Sequence, residues 1–377
     1  MKGLLLRAAA LLLGSAAAVV LGELALRLLR PPVLAVPASD YAEFFAFDPE
    51  LGWANRPGGH GRMTFLPDFD HMIRINARGL RDRDIPYERS VPLRRVLCLG
   101  DSFTWGMGVE AEETWPKVLE RTLPELEALN AGVNGWTTSQ ELLWLRREGL
   151  KYRPDAVVLG FHVNDFRENL DEHAGIYERP YFVLDGGALV LRNVPVEQPA
   201  GARGRPQLAW LENHSYLFRL LVFGREWVRL GFLEPADLSP LRRQSPGDRP
   251  AASSSDGPPA RNVTRALLSE IRNVCDENRI LFVVLLIPTN RQVRPSLRAL
   301  PGTPREIAAY EAARGICREL GLICVDPLDA LAASEEHGLL TYYPMDMHWN
   351  ASGHRLAAQL VAERLGTLLP AGGAPGR

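Results

Sequence analysis

Four short stretches of this 377-residue chain carry side chains able to act together on an electrophile. Gly100-Asp101-Ser102-Phe103-Thr104-Trp105-Gly106 places a serine directly after an apolar run. A serine hydroxyl is a poor nucleophile at neutral pH and needs a base. Histidine, with an ordinary pKa of about 6.5, is the usual one, and a carboxylate commonly orients its far ring nitrogen. Tyr343-Pro344-Met345-Asp346-Met347-His348-Trp349-Asn350 offers Asp346 and His348 two positions apart, where one loop can turn both to the same side. Asn130-Ala131-Gly132-Val133-Asn134-Gly135-Trp136 has two glycines, whose backbone freedom suits an N–H aimed into a site. His162-Val163-Asn164-Asp165 adds an amide able to donate to an oxyanion and an acid able to steady the loop. Together these residue types suit attack on an acyl carbon with donors waiting for the negative oxygen. Taken singly, each stretch also has a structural reading: Ser102 as a helix cap, the glycines in an ordinary turn, Asn164 in an Asx turn, Asp346 and His348 in a surface loop.

What joins the four is the set of elements that must position them. Arg95 to Gly100 and Ala156 to Phe161 are short apolar runs of the kind found in buried parallel strands. Leu126 to Ala131, Ile280 to Ile287 and Leu322 to Asp326 complete five strands. Helical stretches lie between and after them at 114–123, 139–150, 265–277, 305–320 and 351–365. Alternating strands and helices predict an α/β fold, a doubly wound parallel sheet covered on both faces. Ligands of such sheets bind beyond the carboxyl ends of the strands, where these stretches fall.

The domain plan has four parts: an apolar helix at 1–30, a loop-rich lead-in at 31–93, the sheet domain at 94–368 and a flexible tail at 369–377. An insertion at about 169–260 interrupts the sheet domain. It holds a hairpin (Tyr181 to Leu191), an aromatic helix candidate (Trp210 to Phe232) and a Pro/Ser/Arg-rich mobile loop (Leu238 to Ala260). In the first thirty residues Lys2 and Arg7 precede an uncharged run from Ala8 to Gly22. Counted from Leu4 to Leu29, the segment can span a bilayer with Arg7 and Arg27 at its two boundaries. An uncleaved anchor and a cleaved signal both put the rest of the chain outside the cytoplasm, because the basic end stays in.

Composition narrows the function classes. The chain is 46% hydrophobic and 23% charged, with 43 Lys plus Arg against 45 Asp plus Glu, so no basic excess is available for a nucleic-acid backbone. Cys98, Cys275, Cys317 and Cys324 are too scattered for a disulfide scaffold or a cysteine zinc site, although Cys317 and Cys324 are open to being linked. His60, His173, His214 and His337 are isolated and His354 reads as a packing or capping residue. Neither a metal nor a cofactor is expected.

"GDSFTWG", "NAGVNG", "HVND" and "DMHWNASGH" together resemble the serine, glycine, asparagine and C-terminal Asp/His blocks of the SGNH (GDSL-type) hydrolase family. The resemblance implies a flavodoxin-like three-layer α/β/α fold. It implies Ser102 as nucleophile, His348 as base and Asp346 as its orienting acid. The implied oxyanion hole joins the N–H groups of Ser102 and Gly135 to the Asn164 side chain. Two departures stand out. His162 occupies a position where the family usually has glycine, and either lines or plugs the site. Asp346 is one residue nearer its histidine than the family's Asp-x-x-His, and this Asp-x-His-Trp form resembles the bacterial branch related to alginate O-acetyltransferases. His162 and Trp349 are accordingly expected to contact substrate. Asp68-Phe69-Asp70-His71 has the family spacing, but it precedes the first strand and is set aside.

The expected protein is an extracytoplasmic, membrane-anchored serine esterase acting on an O-acyl group, acetyl above all, of a cell-envelope or secreted glycan. One alternative is an O-acyltransferase moving acetyl to a polysaccharide hydroxyl, with a membrane partner supplying acyl groups. The other is a catalytically silent protein that binds a glycan or a partner.

Overall fold

Apolar residues occupy both faces of every central strand, and the period of two sorts them between two layers. In β1 (Arg94–Gly100), Val96 and Cys98 point into one core while Leu97 and Leu99 point into the other. The same division holds in β3 (Ala156–His162) and β4 (Leu281–Ile287). With β2 (Leu126–Asn130) and β5 (Ile323–Val325) they form a five-stranded sheet in the order β5-β4-β3-β1-β2, parallel throughout. The computed structural model describes residues 2–29, 41–65, 68–89, 93–174, 177–198, 211, 214–221, 258–297, 299–300 and 302–369.

Helices cover both faces. The four-residue α1 (Ser102–Trp105) follows β1 directly. On one side α2 (Trp115–Thr122) and α6 (Ala351–Leu368) bury Trp115, Leu119, Val361 and Leu365. On the other, α3 (Thr138–Arg147), α4 (Pro258–Glu277) and α5 (Thr303–Leu320) bury Leu142, Leu145, Leu267, Ile271 and Ile316. Each fully buried leucine or isoleucine of this kind is worth about 1.5–3 kcal/mol relative to leaving it in water. This is the expected three-layer arrangement with the expected five strands.

Several local expectations change. The helix α4 begins at Pro258, seven residues before the apolar periodicity starts and inside the segment expected to be a loop. A further helix, Leu328–Glu336, follows β5; its short Ala-rich run after Pro327 gave no periodic signal. The lead-in holds short strands among its loops: Phe45–Asp48, Gly52–Asn55, His60–Phe65 and Phe69–Arg74, the first two paired antiparallel. Such strands are too short for alternation to show. In the insertion, Tyr181–Asp185 pairs with Ala188–Arg192 as the expected hairpin. Of the aromatic helix candidate, residues 216–221 are helical and most of the rest lies outside the described residues, as do 238–257 and 370–377. Cys317 and Cys324 form a disulfide linking the end of α5 to β5.

The described residues 2–29, 64–65, 211 and 214–221 belong to a second compact unit. Lys2–Leu29 is one helix, and its segment Ala10–Leu29, with mean hydropathy 1.8, is long and apolar enough to cross a membrane. Within this unit the Glu23 carboxylate accepts from Arg27, Ser215 Oγ (2.9 Å) and the N–H groups of Tyr216 (3.1 Å) and Leu217 (2.9 Å). An acid on an apolar helix thus caps the first turn of another helix.

Candidate active site

β1 ends at Gly100, where φ is +149° and a Cβ would lie 2.1 Å from Thr104 Oγ1. Gly160, its partner on β3, would place a Cβ 2.5 Å from the same oxygen. Two glycines side by side therefore admit Thr104, whose hydroxyl donates to Leu99 O (3.1 Å), and the chain turns at once into α1. Asp101 caps that turn by accepting from Phe103 N (2.9 Å). The turn leaves Ser102 at the head of α1, 8% exposed.

His348 reaches Ser102 from the far end of the chain. The Ser102 hydroxyl lies 2.7 Å from His348 Nε2, in position to donate to it. On the other side of the ring, Nδ1 is 2.5 Å from Asp346 Oδ1, which also accepts from the His348 backbone N–H at 2.8 Å. One oxygen thus fixes both the loop and the imidazole. Burial alone would lower the His348 pKa; the charge and hydrogen bond of Asp346, with help from Asp101, more than offset it and hold the ring above the ordinary histidine range. Burial likewise pushes Asp346 up, but the facing imidazole and its hydrogen bonds bring it below the usual aspartate value.

The other two loops close on the same turn. The segment after β2 crosses α1 so tightly that a Cβ on Gly132 would lie 2.3 Å from Trp105 N, and Val133 N donates to Gly100 O (3.0 Å). Gly135 follows with φ +77°, a conformation that favours glycine. The N–H groups of Ser102 and Gly135 have no hydrogen-bond partner among the described residues. After β3, Asn164 Oδ1 lies 2.6 Å from His162 Nδ1, and its amide NH2 has no partner among the described residues. Asp165 accepts from Thr138 N (2.9 Å) and Thr138 Oγ1 (2.5 Å), tying this loop to the start of α3. His162 sits beside Phe103, ring centroids 4.8 Å apart, with His348 4.9 Å from the same ring.

The arrangement brings a hydroxyl, a base, an orienting carboxylate and candidate donors to the carboxyl ends of three neighbouring strands. Chemically it can lower the cost of deprotonating Ser102 and receive a negative oxygen.

Residues 98–211 match the GDSL-like lipase/acylhydrolase family, and residues 250–376 match the SGNH hydrolase-like domain of the acetyltransferase AlgX. The chain carries a GDSL/SGNH hydrolase-like domain. Among solved structures, this SGNH protein is similar to a member of the lipolytic G-D-S-L family from Veillonella parvula (13% identity, 72% of this chain and 97% of that one, TM-score 0.38). It is also similar to LAE5, an alpha/beta hydrolase enzyme from a Lake Arreo metagenome (16%, 73% and 96%, 0.40), and to the acetyl xylan esterase AlAXEase (12%, 72% and 99%, 0.39). No curated protein matches the chain.

Trp349 corrects one expectation. It is fully buried, packed against Phe103 (5.2 Å) and Tyr342 (6.4 Å), and so forms the floor under the SGNH site instead of contacting substrate. The lead-in supplies what the motifs did not reveal. Asp68 accepts from the N–H groups of Met345 (2.8 Å) and Asp346 (2.5 Å), while His71 turns away to Glu110 (3.0 Å). Fully buried Arg81 donates to the carbonyls of Trp105 (2.9 Å), Gly106 (2.5 Å) and Val109 (2.5 Å), pinning the chain after α1. Trp53 donates to Asn134 O (2.9 Å) and accepts from Trp136 Nε1 (2.8 Å), bracketing Gly135. Of these anchors only Arg81 lies in the Asn-, Arg- and Asp-dense stretch "RINARGLRD"; no local pattern points to the partners that Trp53 and Asp68 take.

Proposed function

We propose that this SGNH protein is an extracytoplasmic, membrane-anchored serine enzyme that removes an O-acyl group, in the first instance O-acetyl, from a cell-envelope or secreted glycan. The observation that carries the reading is the relay of 2.7 Å from Ser102 Oγ to His348 Nε2 and 2.5 Å from His348 Nδ1 to Asp346. Ser102 Oγ attacks the ester carbonyl as its proton passes to His348 Nε2. The carbonyl oxygen becomes an oxyanion, met by the Ser102 and Gly135 N–H groups and the Asn164 amide. As the intermediate collapses, the proton on Nε2 leaves with the sugar alkoxide as the free alcohol, and Ser102 keeps the acyl group. Water, deprotonated by the same nitrogen, then attacks the acyl-serine, releasing the carboxylic acid and restoring the hydroxyl. The anchor reading rests on the apolar Ala10–Leu29 helix and the basic residues before it.

A second reading, transfer of the acyl group to a sugar hydroxyl, is favoured by the match of residues 250–376 to the AlgX acetyltransferase domain. It shares the acyl-serine step, but takes the acyl group from a partner in the membrane and passes it to a sugar hydroxyl in place of water. Burst and steady-state rates of the detergent-solubilised full chain with p-nitrophenyl acetate, with and without an oligosaccharide acceptor, separate the two. A burst abolished by Ser102→Ala and His348→Ala with rapid acceptor-free turnover supports the esterase. A burst that stalls until sugar is added supports the transferase. A folded wild-type protein with no burst on this ester or on an acetylated oligosaccharide would sink both.

A further inference from the structure

His162 is a buried imidazole that the serine relay leaves unused. It is 5% exposed and its Nε2 has no hydrogen-bond partner among the described residues. Nδ1 is 2.6 Å from Asn164 Oδ1 and 4.0 Å from the Asp101 carboxylate, so its hydrogen bond goes to the amide. Burial pushes the ring's pKa down to about 4, against the pull of Asn164 and Glu168 and with a further push from His348, so it is neutral at pH 7. A neutral imidazole carries one N–H, on Nδ1 or on Nε2.

That choice has a consequence for Asn164. A carboxamide is a donor at one end and an acceptor at the other. If Nδ1 carries the hydrogen, it donates to Oδ1, and the NH2 end is turned away from His162. If Nε2 carries it, Nδ1 can only accept, the amide turns over, and its oxygen faces the place where negative charge must develop. A misdirected carbonyl there forfeits a donor worth on the order of 10²–10³ in rate and adds repulsion.

We propose that His162, held as its Nδ1–H tautomer, is the positioning residue that fixes the Asn164 amide with its NH2 toward the acyl oxygen at Ser102. The inference rests on the reading of Asn164 as an oxyanion donor. It also accounts for a bulky ring at a position where glycine would leave the amide free to turn.

Two measurements on the detergent-solubilised full chain test it. In the ¹⁵N-histidine-labelled protein, with His162 signals assigned by their loss in His162→Phe, Nδ1 is expected to be the protonated nitrogen between pH 5 and 8. His162→Gln gives the same assignment should the Phe variant fail to fold, and an Nε2–H tautomer overturns the proposal whatever the activity of either variant. With p-nitrophenyl acetate, His162→Phe keeps a ring against Phe103 but removes the donor. It is expected to lower kcat by about 10- to 100-fold with KM changed less than about twofold. In the Asn164→Ala background the same change is expected to cost nothing more, and a loss that adds in full to that of Asn164→Ala assigns His162 to packing and overturns the proposal. Full activity of Ser102→Ala would instead defeat the acyl-serine reading itself, whichever tautomer is found.

Discussion

Phe103 lies between two imidazoles that differ in almost nothing except their partners. His348 and His162 are 8% and 5% exposed, and their ring centroids are 4.9 and 4.8 Å from that of Phe103. Burial pushes both toward the neutral form. Yet the His348 pKa stands above the ordinary value while that of His162 falls to about 4. The difference is an Asp346 carboxylate on one Nδ1 and an Asn164 amide on the other. Desolvation is common to both rings; a facing anion decides which of them can take a proton during a reaction and which stays a fixed dipole.

The largest way to break this comparison is to remove the proton acceptor or its donor. Ser102→Ala and His348→Ala are each expected to cost about 10⁴-fold or more in kcat on p-nitrophenyl acetate while thermal unfolding stays cooperative. Next is Asp346→Asn, which gives His348 the kind of partner His162 has. The base must be neutral to act, so activity rises with pH through the His348 pKa. Removing a charge that raises this pKa moves the acid limb to lower pH, as kcat falls by about 10²–10⁴-fold, and a pH–rate profile reads both. The converse change, Asn164→Asp, hands His162 an anion. NMR titration should find its pKa raised from about 4, with kcat lower by about 10²–10³-fold because a donor has become an acceptor. A smaller effect belongs to Asp68→Ala, which frees the N–H groups of Met345 and Asp346 and should cost about tenfold in kcat with KM little changed. The smallest concerns Asp101, whose carboxyl burial pushes up to about 7. A folded-state value above the unfolded one, about 3.9, gives stability that is full below about pH 4 and is lost as pH rises through about 7. Asp101→Asn keeps an acceptor for Phe103 N, and urea midpoints measured from pH 4 to 8 should lose that decline.

The parts of the molecule legible in sequence are those where a single short segment holds the whole signal. Five apolar runs became five strands, and the four polar stretches came together because each sits at the end of a strand or the head of α6. What was not legible depends on partners far away in the chain. Asp68 shares its spacing with a base-bearing motif, but its oxygen turns to amides 277 and 278 residues on, which no local pattern encodes. Trp349 looked like a substrate contact from its place beside His348; a neighbour in sequence is no guide to which way a bulky ring packs, and this one went under the site. Helix Leu328–Glu336 passed unnoticed because its Ala-rich run buries only Leu331 among large apolar side chains, so no period shows.

The lead-in anchors have a practical bearing on where this protein can be cut. The family match begins at residue 98 and the sheet at Arg94, so Arg94 looks like a natural boundary. A fragment starting there would keep every strand of the central sheet, the helices α1 to α6 and all the motif residues. It would lack Arg81 for three carbonyls at and beyond the end of α1, Trp53 beside the Gly135 turn, and Asp68 behind the Asp346 loop. The inheritable unit and the working unit therefore have different ends, and transplanting the first without the second would carry over the parts list without the jig that aligns it.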